Sequence, residues 1–452
     1  MTDIPTMRPR PTLSGPAPWA FPAVDEHAVE GIDVAACHLP GHPLVAIQVH
    51  ADIPVTVDPA GQEGLTALMA NSLKEGTKRL DARAFEAAVE LLGGKFATSA
   101  GHGGLHAAIS APADRIPAAV DLLTEALVEP RLHDKDILRL RSQRLDEITT
   151  EEADPDMRAG LLLRPRLWEA GDRRSSPSEG SRVTVAGLEP DAARQVHAAH
   201  LRRGGTTLVA VGDLEKLDVD ALAAGVARAL PDDDRSRTPA DAAKPTGGRR
   251  AVVFHRPGAV QTALRIGRVG PGRDTPDWPA LMVAMHTLGG TLTSRLDAVL
   301  REEKGWTYGV RSRRSPVRGA SVITHLSGSV QSEVTVDAVE TAWQIIRELA
   351  AGGPTEEEVR ETVAYLAGVQ PLTYETPRAV AGAIASCLAD DLPLGHVGTE
   401  IAALRKVTMS DAAAVARDHL HVDDAVLVAV GDAEMIGTAL EGRVGDVEVI
   451  GA

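Results

Sequence analysis

The chain has 452 residues, more than one compact domain holds and enough for two of roughly 200 residues each. Hydrophobic residues make up 44% but aromatics only 3%, so the cores are expected to be built from Ala, Leu and Val. Lys plus Arg number 47 against 63 Asp plus Glu, a formal net charge of −16, which argues against nucleic acid or an anionic membrane as the main partner and suits a basic or neutral peptide or another protein. The two cysteines, Cys37 and Cys387, lie far apart and form neither a disulfide framework nor a CxxC metal site. No window approaches 18 apolar residues, so no membrane span is expected. The Pro-rich start, Met1 to Pro22, lacks the apolar core of a signal peptide, and the expected location is cytoplasmic.

In chain order, Leu44 to Ala51 reads as a strand and Gln62 to Lys74 as a helix. Leu65, Leu68, Met69, Ser72 and Leu73 are spaced as its core face, with Ala67, Ala70, Asn71 and Lys74 on the other. Asp81 caps a second helix that stops at Gly93-Gly94, and Lys95 to Ser110 reads as two strands broken by Gly101, Gly103 and Gly104. Helical patterns fill Ala113 to Leu201, interrupted near Pro155 and Pro177, before a strand at Thr206 to Val211. Strands then cover Ala251 to Arg268, followed by helices at Pro279 to Leu288 and Leu292 to Glu303, the latter ended by Gly305. Thr307 to Val330 reads as a strand pair, and helices run from Thr335 to Leu420 before a last strand at Val426 to Val430.

One hexapeptide occurs twice: Leu208 to Asp213 (LVAVGD) returns as Leu427 to Asp432, and His200-Leu201 returns at the same offset as His419-Leu420. The offset is half the chain, so a duplicated domain is expected. The prediction is an α+β protein of two homologous halves, each a mostly antiparallel sheet with helices packed on one face. Residues 1–230 form the first domain and 249–452 the second, joined by a polar Pro/Gly-rich linker at 231–248.

Walker A, GxGxxG, GxSxG, HExxH and HxxEH motifs are all absent. His102 and His106 fall on a strand or turn, where a four-residue spacing is about 13 Å, too far to share an ion. His197/His200 and His419/His421 lack the three or four convergent ligands that zinc needs. The acidic segments Glu151 to Asp156 and Asp232 to Asp234 read as solvated loops, or as the lining of a chamber that prefers basic peptides.

The run GLTALMANSLKEGTKRLDARAFEAAVELLGGKFATSAG resembles the metal-binding helix of the pitrilysin/insulinase metallopeptidases, in which HxxEH precedes a Gly-Thr pair. Counted back from Gly76-Thr77, the two family histidines fall on Ala67 and Asn71 and the glutamate on Ala70; the third ligand, a glutamate further on, is best matched by Glu147. The resemblance thus implies a degenerate metal site and no metal or cofactor in this chain. In the second half, LGGTLTSRL followed by LREEKGWTYGV resembles the family's signature carrying an Arg and a Tyr seven residues apart, here Arg301 and Tyr308. In the family this pair donates hydrogen bonds to the substrate backbone at the scissile carbonyl.

An erased metal site with a retained Arg/Tyr pair is similar to the non-catalytic partner of two-chain members. The resemblance implies a subunit inactive alone, paired with a homologous HxxEH-bearing subunit that holds the zinc, the two closing around a peptide or small-protein substrate. An extended glycine-rich loop of the presequence-processing type is not expected, since only Gly289 and Gly290 stand at that place. The GHGGLH segment is the expected edge for pairing with an extended peptide. The alternatives are a structural or scaffold protein of the same fold and a peptide-binding homodimer without hydrolysis.

Overall fold

In a computed structural model of the chain, residues 19–233, 244–246, 250–318 and 321–451 are described. Two six-stranded sheets share one topology over five strands and differ in the sixth, which is an N-terminal antiparallel strand in the first and a C-terminal parallel strand in the second. The first runs in the order β1 (Asp25–Val29), β2 (Ile32–His38), β6 (Thr206–Gly212), β3 (Leu44–Ala51), β5 (Gly104–Pro112), β4 (Lys95–Gly101). The second runs in the order β12 (Val447–Ile450), β7 (Arg250–His255), β11 (Val426–Gly431), β8 (Gln261–Pro271), β10 (Ser321–Gln331), β9 (Thr307–Val317). Pairing is antiparallel except at β2–β6 in the first sheet and at β7–β11 and β7–β12 in the second.

The repeated hexapeptide supplies the buried strands β6 and β11 and the carboxylate that follows each. Asp213 accepts the Gly41 N–H at 3.0 Å, and Asp432 accepts the Gly258 N–H at 2.8 Å. His38 Nδ1 accepts from Leu214 N–H, as His255 Nδ1 accepts from Ala433 N–H. The duplication therefore fixes the turn after β2 and after β7 by satisfying the same backbone donors.

Each half lays its own helices on one face of its sheet. In the first these are α1 (Leu65–Ser72), α2 (Ala82–Leu91), α3 (Ile116–Val128), α4 (Asp134–Ala153), α6 (Arg182–Ala186), α7 (Pro190–His200) and α8 (Val219–Ala229). In the second they are α9 (Trp278–Gly289), α10 (Arg295–Asp297), α11 (Thr335–Gly352), α15 (Met409–His419) and α16 (Ala433–Val444), while α12 (Glu356–Thr373) and α14 (His396–Leu404) pack outside α9, with Val397 and Ile401 of α14 reaching the core around α13 (Pro377–Ala389). The remaining helices change sides. Helix α5 (Pro155–Leu163) packs on β8, β10 and β11, and α13 packs on β3 and β6. Ala159, Leu163 and Trp168 are buried among Val252, Val428 and Val430, while Val380, Ile384 and Cys387 are buried among Cys37, Val209 and Val211. The sheet face left open by each half's own helices is thus partly covered by a helix of the other.

Polar contacts tie the exchange. Arg265 on β8 holds Asp156 on α5 through two bonds of 2.6 and 2.5 Å. Arg318 donates to Asp52 at 2.8 Å and to Asp391 at 2.9 Å, with Arg318 and Asp52 both 6% exposed. Gly103, in the β4–β5 turn, lies against Ala389, where any side chain would collide with the end of α13. Most of the expected linker lies outside the described residues. Its described part is not free chain: Thr246 N–H donates to the Leu167 carbonyl and the Lys244 carbonyl accepts from Glu169, while Arg202 bonds Asp233.

Candidate functional site

Helix α1 is shorter than its sequence pattern, because Gly64 turns the chain with a φ of 99° and Leu73 leaves the helix. Buried Asp58 reaches over its start, accepting from Gly64 N–H, Thr66 N–H and the Thr66 hydroxyl. Burial, only partly offset by these bonds, raises the carboxyl's pKa. The two-faced reading of this helix holds for its core face and for Asn71 and Lys74, and is corrected for Ala67 and Ala70, which are buried. Every residue from Leu65 to Ser72 except Asn71 is buried, since α1 is wedged among β4, α4 and α7. Ala70 belongs to the core, its carbonyl accepting from Thr98 Oγ1, and does not line the cavity that Ala67 and Asn71 share.

Ala67, Asn71 and Glu147 do come together, around a cavity of about 190 Å³ between α1 and α4. Zinc does not fit this donor set. Ala67 offers a methyl group and Asn71 an amide, and the Glu147 carboxylate accepts from Gln143 at 3.1 Å and Arg144 at 3.3 Å. Among the described residues no three or more His, Cys, Asp and Glu side chains group as a metal would need. Lys74, Glu147 and Glu179 also line this cavity, and its less exposed cation is Arg144, which sequence reasoning passed over. Its guanidinium pairs with Glu151 through bonds of 2.6 and 3.0 Å and lies 3.4 Å from Glu179. Burial works against its charge, but Glu151 and its neighbours outweigh that and raise its pKa.

Arg301 lies on a π-helical turn, Ala298–Glu303, that continues α10. Three backbone bonds reverse the chain behind it, Lys304 N–H to Val299, Gly305 N–H to Arg301 and Trp306 N–H to Leu300. Gly305 takes the left-handed conformation at φ 67° that this reversal needs. Tyr308 follows at the start of β9, the outer strand of the second sheet. The β9–β10 register shifts here: Val310 faces Gly328 but Thr307 faces Val330, so Tyr308 and Gly309 stand opposite the single residue Ser329. A bulge of this kind re-aims a side chain, and Tyr308 is 90% exposed. Arg301 is about a third exposed and bonds Glu302 at 2.6 Å; the two site side chains do not bond each other. Fully buried Asp297 accepts from Val310 N–H and from Arg311, anchoring β9 to the helix that carries Arg301.

The remaining sequence candidates have internal partners. Of GHGGLH only Gly101 lies on the outer strand β4; His102-Gly103 make the turn, and Gly104, Leu105 and His106 sit on β5, one strand in. His102 bonds Arg164 at 3.0 Å, and burial with that neighbouring charge lowers its pKa to about 3. His106 bonds Gln48 at 2.9 Å, His197 bonds the Leu127 carbonyl, and His421 pairs with Asp424. In the acidic segments, Glu151 holds Arg144, Glu152 holds Arg182, Asp154 caps α5 and Asp156 holds Arg265.

Two protein-family profiles match the chain, one described as Insulinase (Peptidase family M16) over residues 34–170 and one as Peptidase M16 inactive domain over 187–366. The chain is similar to an uncharacterized zinc protease of Mycobacterium leprae, 25% identical over 340 residues that cover 73% of this chain and 74% of the relative. It is also similar to the non-peptidase homolog YmxG of Helicobacter pylori, 22% identical over 375 residues, 82% of this chain and 85% of the relative. Among solved structures, a peptidase M16 inactive domain from Pseudomonas fluorescens shares the fold with a TM-score of 0.82 at 24% identity, over 91% of this chain and 98% of that one.

Proposed function

The chain belongs to the insulinase (M16) peptidase family, as a homologue without the family's metal-binding residues, and on that premise we propose that it is the substrate-binding, non-catalytic subunit of a heterodimeric zinc peptidase. The observation that carries this reading is the pairing of a stripped metal helix with an Arg/Tyr motif left open to solvent. Ala67 and Asn71 offer no ligand set, whereas Tyr308 stands 90% exposed on a bulged outer strand beside the π turn of Arg301. π turns and bulges are over-represented where a side chain is presented for function.

The partner, a homologous subunit bearing HxxEH, would supply zinc and its activated water. This chain's part is to orient an extended peptide and to donate from the Arg301 guanidinium and the Tyr308 phenol toward the scissile carbonyl. Such donors stabilise a developing oxyanion more than the planar carbonyl. The test is to purify the complex with its partner and measure peptide turnover for Arg301→Ala and Tyr308→Phe. Turnover is expected to fall about a hundredfold for Arg301→Ala, the usual cost of losing one oxyanion donor, with assembly by size-exclusion chromatography unchanged. Undiminished turnover would end this assignment. A second reading, a scaffold or peptide-binding protein of the same fold, is favoured by the likeness to a relative named a non-peptidase homolog. It predicts a complex that assembles and binds peptide but does not cleave it.

A further inference from the structure

The two halves build one place twice and fill it differently. Gln48 on β3 faces Val209, and Arg265 on β8 faces Val428, the same residue of the repeated hexapeptide. One strand further out, His106 faces His50 and His325 faces Gly267, again at matching positions. Above each sheet lies the helix from the opposite half, beginning Pro155-Asp156 over the second sheet and Pro377-Arg378 over the first. Arg265 therefore corresponds to Gln48, and Asp156 to Arg378.

In the second half the Arg265–Asp156 pair closes this place. In the first half the same place is a cavity of about 290 Å³, at the lower end of small-molecule pockets. It is lined by Arg378 from α13, Lys95 from β4, and Gln48, Ser99, His106 and Ser110 from the sheet. Among the described residues no carboxylate lines it, in a chain with 63 acidic residues against 47 basic ones. The two cations come from opposite halves and neither is engaged in an ion pair among the described residues. The position that carries a carboxylate in one half carries a guanidinium in the other, and no described carboxylate answers it.

We propose that this cavity binds a carboxylate, brought by a small organic acid or by an acidic peptide side chain, with Lys95 and Arg378 as its counter-charges and Gln48, Ser99 and Ser110 as hydrogen-bond partners. The proposal uses neither Arg301 nor Tyr308 and stands whether or not the chain takes part in hydrolysis.

The test is calorimetric titration of the full chain at constant ionic strength with two probes, citrate and the tripeptide Gly-Glu-Gly amidated at its C-terminus. Saturable one-to-one binding of at least one probe is expected. Citrate alone would mean a free acid, the peptide alone an acidic side chain. Lys95→Ala/Arg378→Ala, both exposed positions, should weaken binding about tenfold or more, the usual cost of removing hydrogen bonds to a charged group. Gln48→Arg/Arg378→Asp installs the other half's ion pair and should abolish binding, with circular dichroism confirming the fold. Failure of both probes to saturate the wild-type chain would overturn the site, as would undiminished binding by the double-alanine variant.

Discussion

From the strands Thr206–Gly212 and Val426–Gly431 outward, the two halves can be followed residue against residue. Close to those strands they agree: Asp213 and Asp432 take the same glycine N–H, and His38 and His255 brace the same turn. Where side chains meet solvent or a cavity they part. The first half carries the helix of Ala67 and Asn71 with Arg144 among carboxylates, while the second carries Arg301 and Tyr308 on a π turn and a bulge. The positions that satisfy the backbone donors of these two turns stayed equal, because those bonds hold the turns in shape. The positions without that duty took on different chemistry.

The largest effect that would sharpen this contrast is a gain of metal. Ala67→His/Asn71→His restores two imidazoles beside Glu147 but leaves Arg144 in place, and equilibrium dialysis should find it without stoichiometric zinc. Adding Arg144→Met removes the arginine that pairs with Glu147, and uptake should then rise to about one zinc per chain. Zinc bound by the double variant with Arg144 intact would break the comparison at its first half. Next in size is the junction. Arg318→Ala leaves Asp52 buried without its cation, so urea denaturation should show a loss of about 3–5 kcal/mol. Two separated transitions, rather than one shifted transition, would mean that the halves are stable independently. The last effect is on pH, and it accumulates over three histidines. Burial holds His102 near a pKa of about 3 and His286 and His325 near about 4, all below the ordinary 6.5. The unfolded chain then binds protons that the folded chain refuses. Stability is complete above pH 6.5 and is lost as pH falls toward 4, by about 1.4 kcal/mol per pH unit for each histidine. A melting temperature flat between pH 7 and pH 5 would contradict that burial.

Much of this was legible in the chain itself. The hexapeptide repeat announced the duplicated sheet, Asp81 announced the cap it forms with Ala84, and Gly305 announced the reversal between Arg301 and Tyr308. Local chemistry decides such features. What stayed hidden was decided at a distance. The composition of α1 suggested two faces, but α4 and α7 close over it. Arg144 looked like one more helical arginine until Glu179, from a separate loop, came within 3.4 Å. Pro155 read as an interruption and Pro377 passed unremarked inside one long helical stretch, yet each marks the first turn of a helix bound for the other sheet. Periodicity shows that a helix has an apolar stripe and is silent about which sheet receives it.

That exchange has a consequence for how the protein is made. A ribosome releases residues 155–163 long before the strands at 261–271 and 426–431 that will cover them exist. The face of the first sheet around Cys37 and Val209 likewise waits for residues 377–389. For most of its synthesis the nascent protein displays apolar surface on both partners of a contact not yet possible, the state in which chaperones bind and aggregation begins. Cut at residue 240, the gene would encode two fragments that are each sticky alone and that rescue one another when expressed together.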